Sequence, residues 1–443
     1  MTTIFALAAA AVLAAPALAA EPAAPKFMPN IVVFAPGGLR ADRLGTLGYS
    51  KRPVTPAIDA AAKDGLVFEN VESQGTWDLP GFASMLSSAY PSKHGASWSG
   101  GKAAETAPLL AKLLSLRGFK TAAFVGSSAL DPQHGLGRGF ATYEAGGSRF
   151  FSDTLPLALR WIAENKSNGP GTGPFFVLIN GGDLLPPFNP SLPKSLRERF
   201  DPTYAGPADD VLPDAYFARV YGGDAAAPGQ PAADADYKAK AEAVRADTHA
   251  VEHLGALYDG EVARVDEAFK RLTDFLAQQG LAERTIVVLV SPNGEELGED
   301  GRLGAGGRAS AREAVSRVPL IFWGPGIKPG RRKEAARLID LAPTLLARTA
   351  TPFPASYAGK DLLDPAYRPE DAILIEGTSE DSADVGEYGV RSGRWKLLSR
   401  PKSGTRELYD LDADPGEKKD VSSKQAATVK SLEEKLTALT APR

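Results

Sequence analysis

Apolar positions along this chain follow two rhythms. Short β-branched and aromatic runs, Ile31–Phe34, Thr121–Val125, Phe175–Ile179, Thr285–Val290 and Pro319–Phe322, predict buried strands. Between them, apolar residues recur at helical spacing over Thr106–Arg117, Phe151–Glu164, Ala241–Gln279 and Leu338–Arg348. Strands alternating with helices imply an α/β domain. From about Ala355 the rhythm changes to short strands, Ile373–Ile375, Tyr388–Arg391, Arg394–Leu398 and Glu407–Asp410, then a helix over Ser423–Leu439. That pattern predicts a small antiparallel sheet with one helix. The Pro/Gly/Ala/Asp-rich stretch from Pro186 to Ala239 has little periodicity and predicts a surface loop or lid.

Composition narrows the function. With 443 residues and 43% hydrophobic content, the chain can bury a large core. Its 50 basic and 54 acidic residues leave a formal charge of −4, which does not suggest a nucleic-acid binder. Cysteine is absent, excluding disulfides, thiolate metal sites and a cysteine nucleophile. Residues Ile4–Leu18 are rich in Ala, Leu and Val and are followed by a small-residue cleavage pattern, Ala17-Leu18-Ala19. Residues 1–20 are therefore expected to be a secretory signal, with a buried N-terminal helix as the alternative, and the protein to be periplasmic or secreted. No membrane span is expected. The expected division is a core over 27–354 and a smaller subdomain over 355–443.

Several stretches together resemble the sulfatase family of the alkaline-phosphatase-like superfamily. Pro29–Tyr49 (PNIVVFAPGGLRADRLGTLGY) and Thr55–Val71 resemble its opening, and Thr76–Gly95 (TWDLPGFASMLSSAYPSKHG) its nucleophile segment. Leu257–Asp266, Val287–Gly307, Arg317–Gly330 and Ile339–Leu346 resemble later core motifs, and Glu407–Glu417 (ELYDLDADPGE) a C-terminal one. They run in the family's order. The resemblance implies an alkaline-phosphatase-like three-layer α/β/α sandwich carrying the small C-terminal sheet and helix.

The chemistry that the resemblance implies meets altered residues. The family's first metal ligands fall at Gly37 and Gly38, and its later acid-amide pair at Pro292 and Asn293, so only Asn293 offers an oxygen. Calcium, the family's cation, needs a shell of oxygens. The nucleophile position holds Asp78, which cannot become formylglycine, and Phe82 replaces the motif's arginine. A carboxylate can act as a nucleophile, but toward an anionic ester it would need a cation beside it. The alternative is that Asp78 is a helix-start charge or cap. Asn180 and Leu185 stand where the family often has histidines, Asp183 is retained, Ala305 replaces another histidine, and His94 matches a family position that reads as a turn anchor. Arg40, Lys93, His94, Asn180, Asp183 and Arg302 are the residues expected to line the old pocket, where the cations could hold a sulfate or carboxylate.

Two further patterns have ordinary explanations. His249-AVEH-His253 fits an H-x-x-E-H zinc pattern on a helix, but no third ligand is evident and such matches arise by chance. Glu295, Glu296, Glu299 and Asp300 could form a displaced cation site, with a solvated loop as the default. The expected function is an exported pseudosulfatase, without a cofactor, that binds an anionic small molecule, a sulfated glycan or another partner. The alternatives are a metal-dependent sulfuric- or phosphoric-ester hydrolase using Asp78, with Ca2+ in an altered site, and a structural surface protein.

Overall fold

The computed structural model describes residues 28–441, apart from 99, 147–148, 167–172, 186–194, 196–197, 207–241, 245, 299–308 and 380–381. The expected signal segment, Arg302, Glu299, Asp300 and most of the predicted lid lie outside the described residues. Among the described residues, no helix is long and apolar enough to cross a membrane.

The strands in chain order are β1 (Asn30–Phe34), β2 (Leu66–Phe68), β3 (Val71–Glu72), β4 (Lys120–Phe124), β5 (Thr142–Glu144), β6 (Phe175–Ile179), β7 (Thr285–Val290), β8 (Leu320–Trp323), β9 (Gly330–Arg332), β10 (Ala336–Arg337), β11 (Ile373–Ser379), β12 (Ser382–Ser392), β13 (Trp395–Arg400) and β14 (Thr405–Asp410). Strand β1 is buried because it lies between parallel neighbours β6 and β7 in an eight-stranded sheet ordered β5-β4-β6-β1-β7-β8-β2-β9. Toward its other edge the sheet turns antiparallel, at β7–β8 and β8–β2.

Strand alternation divides the core in two. Ile31, Val33 and Val288 pack on one face against the Asp78–Ser87, Leu110–Leu116 and Leu341–Arg348 helices, through Leu79, Phe82, Leu114 and Leu345. Val32, Phe34 and Leu289 pack on the opposite face against the Pro56–Ala62, Phe151–Asn165 and Thr248–Gln278 helices, through Ile58, Leu155, Val262 and Phe269. Phe34 stacks on Phe151 at 4.3 Å between ring centroids. This is the three-layer α/β/α arrangement.

Strands β11 to β14 form an antiparallel four-stranded sheet, again with alternating faces. Ile375, Leu398 and Tyr409 face Ala311 of the core, while Leu374, Leu397 and Leu408 receive Leu432 of the Ala426–Thr440 helix. The seam between core and sheet also carries charge. Lys396 of β13 is completely buried, with its Nζ 2.7 Å from Glu313, 3.5 Å from Glu417 and 3.9 Å from Glu72. Arg391 of β12 reaches the other oxygen of Glu72 at 2.6 Å. Burial opposes the Lys396 charge, but the three carboxylates hold its pKa above the ordinary range. Burial likewise favours a protonated Glu72, yet Lys396 and Arg391 hold its carboxyl down at about 2.

Candidate active site

The carboxyl ends of β1, β6 and β7 converge, and the Asp78–Ser87 helix begins against them. Asn180, just beyond β6, ties the convergence together. Its Nδ2 donates to the Ala35 carbonyl at 2.9 Å, and its Oδ1 accepts from the amides of Gly126 at 3.1 Å and Ser127 at 3.0 Å. Ser291, after β7, donates to the Pro36 carbonyl at 2.8 Å and accepts from the Leu39 amide at 3.0 Å. Both side chains join backbone to backbone, so loops from separate strands are fixed in one position.

Asp78 occupies the first turn of its helix and is only 5% exposed. It is not a hydrogen-bonding cap, because neither carboxylate oxygen accepts a hydrogen bond of normal geometry. Burial pushes its pKa up from 3.8 to about 6, with the nearby Ser127 hydroxyl offsetting part of the rise. The carboxylate lies against Gly37. A β-carbon at residue 37 would stand 2.8 Å from Asp78 Oδ1 and 2.9 Å from Oδ2. Gly38 adopts φ +79°, a left-handed conformation that glycine enters without a Cβ clash. Three residues beyond Asp78 on its helix, the backbone crowds the loop after β7: a β-carbon at Gly81 would meet the Pro292 carbonyl oxygen. Asn293 is buried, donates from Nδ2 to the Gly294 carbonyl at 2.9 Å and leaves Oδ1 without a partner.

The other expected pocket residues are dispersed. Asp183 is buried and accepts from the Phe151 amide at 2.9 Å, at the start of the Phe151–Asn165 helix. Its pKa is raised to about 6 by burial. Arg40 is buried and grips Asp42 with two hydrogen bonds, at 2.9 and 2.7 Å, while a third holds the Glu295 carbonyl at 3.0 Å. Lys93 is exposed on the Pro91–His94 turn, whose Ser92 amide donates to Glu376 of β11 at 2.8 Å. His94 is fully buried, and burial lowers its pKa to about 3. Its Nδ1 accepts from the Ala96 amide at 3.1 Å, which leaves the proton on Nε2, 3.0 Å from Ser84 Oγ. That tautomer donates to the serine and cannot deprotonate it.

His249 and His253 do not converge on an open position. Both face one carboxylate oxygen of Asp201, at 3.2 and 3.0 Å, and Tyr204 stacks on His253 at 3.9 Å. They fasten the segment around Asp201 to the long helix. Glu295 and Glu296 are buried rather than solvated, because the loop after β7 folds inward: Ser310 donates to Glu296 at 2.8 Å and Arg40 to the Glu295 backbone.

The sulfatase sequence model matches residues 29–168 and 174–351. The chain belongs to the sulfatase family. Arylsulfatase K of Bos taurus is 27% identical over 199 residues, 42% of this chain and 36% of that protein. Choline-sulfatase of Rhizobium meliloti is 27% identical over 164 residues, 36% of this chain and 31% of that protein. The chain thus spans about a third of the length of the curated relatives it matches. Phosphonate monoester hydrolase of Agrobacterium radiobacter superposes with a TM-score of 0.71 at 19% identity, covering 93% of this chain and 95% of that one. A structure in complex with D-glucosamine-2-N,6-O-disulfate superposes with a TM-score of 0.68 at 18% identity, covering 93% and 97%. Likeness at this identity establishes the shared fold.

Sulfatases usually bind a metal, and the residues at the end of β1 can be tested against one. Gly37, Gly38 and Pro292 carry no donor, and the Asp78 carboxylate fills the space where a side chain at 37 would begin. One carboxylate and the Asn293 amide oxygen remain, well short of the six to eight oxygens of a calcium site. Among the described residues, no group of three or more His, Asp or Glu side chains is placed to hold an ion. The donor set does not fit the family's cation.

Proposed function

We propose that this chain is a sulfatase-family protein that binds a sulfated or other anionic ligand without hydrolysing it, and that it is exported to the periplasm or beyond. The supporting observation is the contact between Asp78 and Gly37. Hydrolysis of an anionic ester needs positive charge at the developing oxyanion and a nucleophile that can approach it. Here a buried carboxylate, with no cation beside it among the described residues, stands at the nucleophile position. Residue-level support for export is the apolar stretch Ile4–Leu18 and its cleavage pattern.

A second reading is favoured by the same residue. An unpartnered carboxylate with its pKa near 6 is an available nucleophile or base at neutral pH. Turnover separates the two. The purified mature chain is offered an aryl sulfate, a phosphate monoester and a phosphodiester, with and without calcium, manganese or zinc, alongside Asp78→Ala. Rates matching the variant under every metal are expected. Metal-stimulated turnover that disappears in Asp78→Ala would establish a working hydrolase.

A further inference from the structure

The end of β1 is a poor seat for an anion, since the unpartnered atoms there, both Asp78 oxygens and Asn293 Oδ1, are acceptors. A second depression lies where the core meets the four-stranded sheet. This cleft, of about 250 Å³, is bounded by Arg40 and Asp42 after β1, by the segment around Arg312 to Arg317 before β8, and by Pro415–Lys418 after β14.

Its carboxylates are already engaged. Asp42 accepts from Arg40 at 2.7 Å, Glu313 pairs with Lys396 at 2.7 Å, Glu417 accepts from the Glu313 amide at 2.7 Å, and Glu296 accepts from Ser310 at 2.8 Å. Two of its cations differ. Arg317 spends one nitrogen on the Glu69 carbonyl at 3.0 Å, while its buried Nε has no acceptor. Lys418 projects from the exposed turn and, like Arg317, has no carboxylate at ion-pair distance among the described residues. Arg317 and Lys418 thus border the cleft with positive charge that no carboxylate at ion-pair distance neutralises, and an oxyanion supplies the opposite charge. Asp42 is the one carboxylate at the mouth that is half exposed, at 49%, and Arg40 offsets it directly.

We infer that this cleft, and not the end of β1, receives a small oxyanion, such as a sulfate, sulfate-ester or carboxylate group, between Arg317 and Lys418. The inference rests on the anion-binding reading above and adds where the anion sits. Arg40 and Arg312 are neutralised in their ion pairs with Asp42 and Glu407, so the positive charge offered to the anion is that of Arg317 and Lys418.

The test is calorimetric titration of the full chain, at matched ionic strength, with inorganic sulfate, inorganic phosphate and D-glucosamine-2-N,6-O-disulfate. Saturable binding is expected that weakens about tenfold in Lys418→Glu and in Arg317→Gln, the loss of one charge-assisted contact, and that persists in Asp78→Asn. Lys418 lies on an exposed turn, so its variant carries the test even if Arg317→Gln fails to fold. Binding that is indifferent to Lys418→Glu, or lost in Asp78→Asn, overturns this placement while the anion-binding reading stands. Absence of saturable binding to all three probes overturns that reading as well.

Discussion

Asp78 makes a quantitative demand on stability. Its carboxyl is pushed from 3.8 to about 6 by burial, so the folded chain holds the proton more tightly than the unfolded chain. Below pH 3.8 both states are protonated and the residue imposes no ionisation penalty. As pH rises toward 6 the unfolded chain releases the proton first, and stability falls; above 6 the full penalty is present. At about 1.4 kcal/mol per pH unit, the difference amounts to about 3 kcal/mol. Asp78→Asn keeps the shape and removes the titration. Denaturant unfolding of both proteins at about pH 4.5 and about pH 8 gives a double difference in which Asp183, Glu417 and every other titrating group cancels. The asparagine variant is expected to gain about 2 kcal/mol on the parent between the two values, since about 1 kcal/mol of the penalty is already present at about pH 4.5. A gain below about 0.5 kcal/mol, or a loss, would mean that the carboxylate is held by a cation or donor, and the unpartnered state argued here would be wrong.

Other perturbations test the same architecture. Gly37→Ala, at a residue whose backbone is not left-handed, is expected to cost about 1–3 kcal/mol through its collision with Asp78, and the cost should shrink when Asp78→Ala is added; additive losses in that double-mutant cycle would deny the contact. Lys396→Met leaves Glu72, Glu313 and Glu417 without the cation they share, with Arg391 beside Glu72 and Arg312 near Glu417. A loss of about 3–5 kcal/mol is expected in thermal or denaturant unfolding, and a change under about 1 kcal/mol would show that the seam does not depend on this charge.

Much of the fold is legible in the sequence because its strands are short, apolar and buried on both sides. Ile31–Phe34 leaves little choice once both faces must be covered, and the match to β1 is within one residue. Strand β12 is harder: it runs from Ser382 although only Tyr388–Arg391 has the expected composition, because its polar first half pairs with β11 across bulges at Gly377 and Thr378. The long helix begins at Thr248, inside the expected Ala241–Gln279 span, after the Asp247 side chain accepts from the His249 amide. At the site, motif order locates Asp78 and the two glycines, yet nothing in a sequence separation of forty-one positions announces that the carboxylate occupies the space of a side chain at 37. Arg312, Glu313, Arg317, Lys396 and Glu417 escape notice for a related reason. Each alone resembles an ordinary solvated charge; tertiary pairing brings Arg312, Glu313, Lys396 and Glu417 together, and Arg317 sits beside them without a carboxylate partner at ion-pair distance among the described residues. A lysine in the middle of the apolar run WKLLS, on a strand buried on both faces, is the signal that could have found the network.

The packing of Asp78 on Gly37 also governs how this protein could be redesigned. A carboxylate placed at 37 while Asp78 remains meets both a steric barrier and a like charge; replacing Asp78 first opens a hollow that no ligand yet fills. What a side chain at 37 costs therefore depends on what stands at 78, so the two positions are coupled and any redesign of one has to take the other with it.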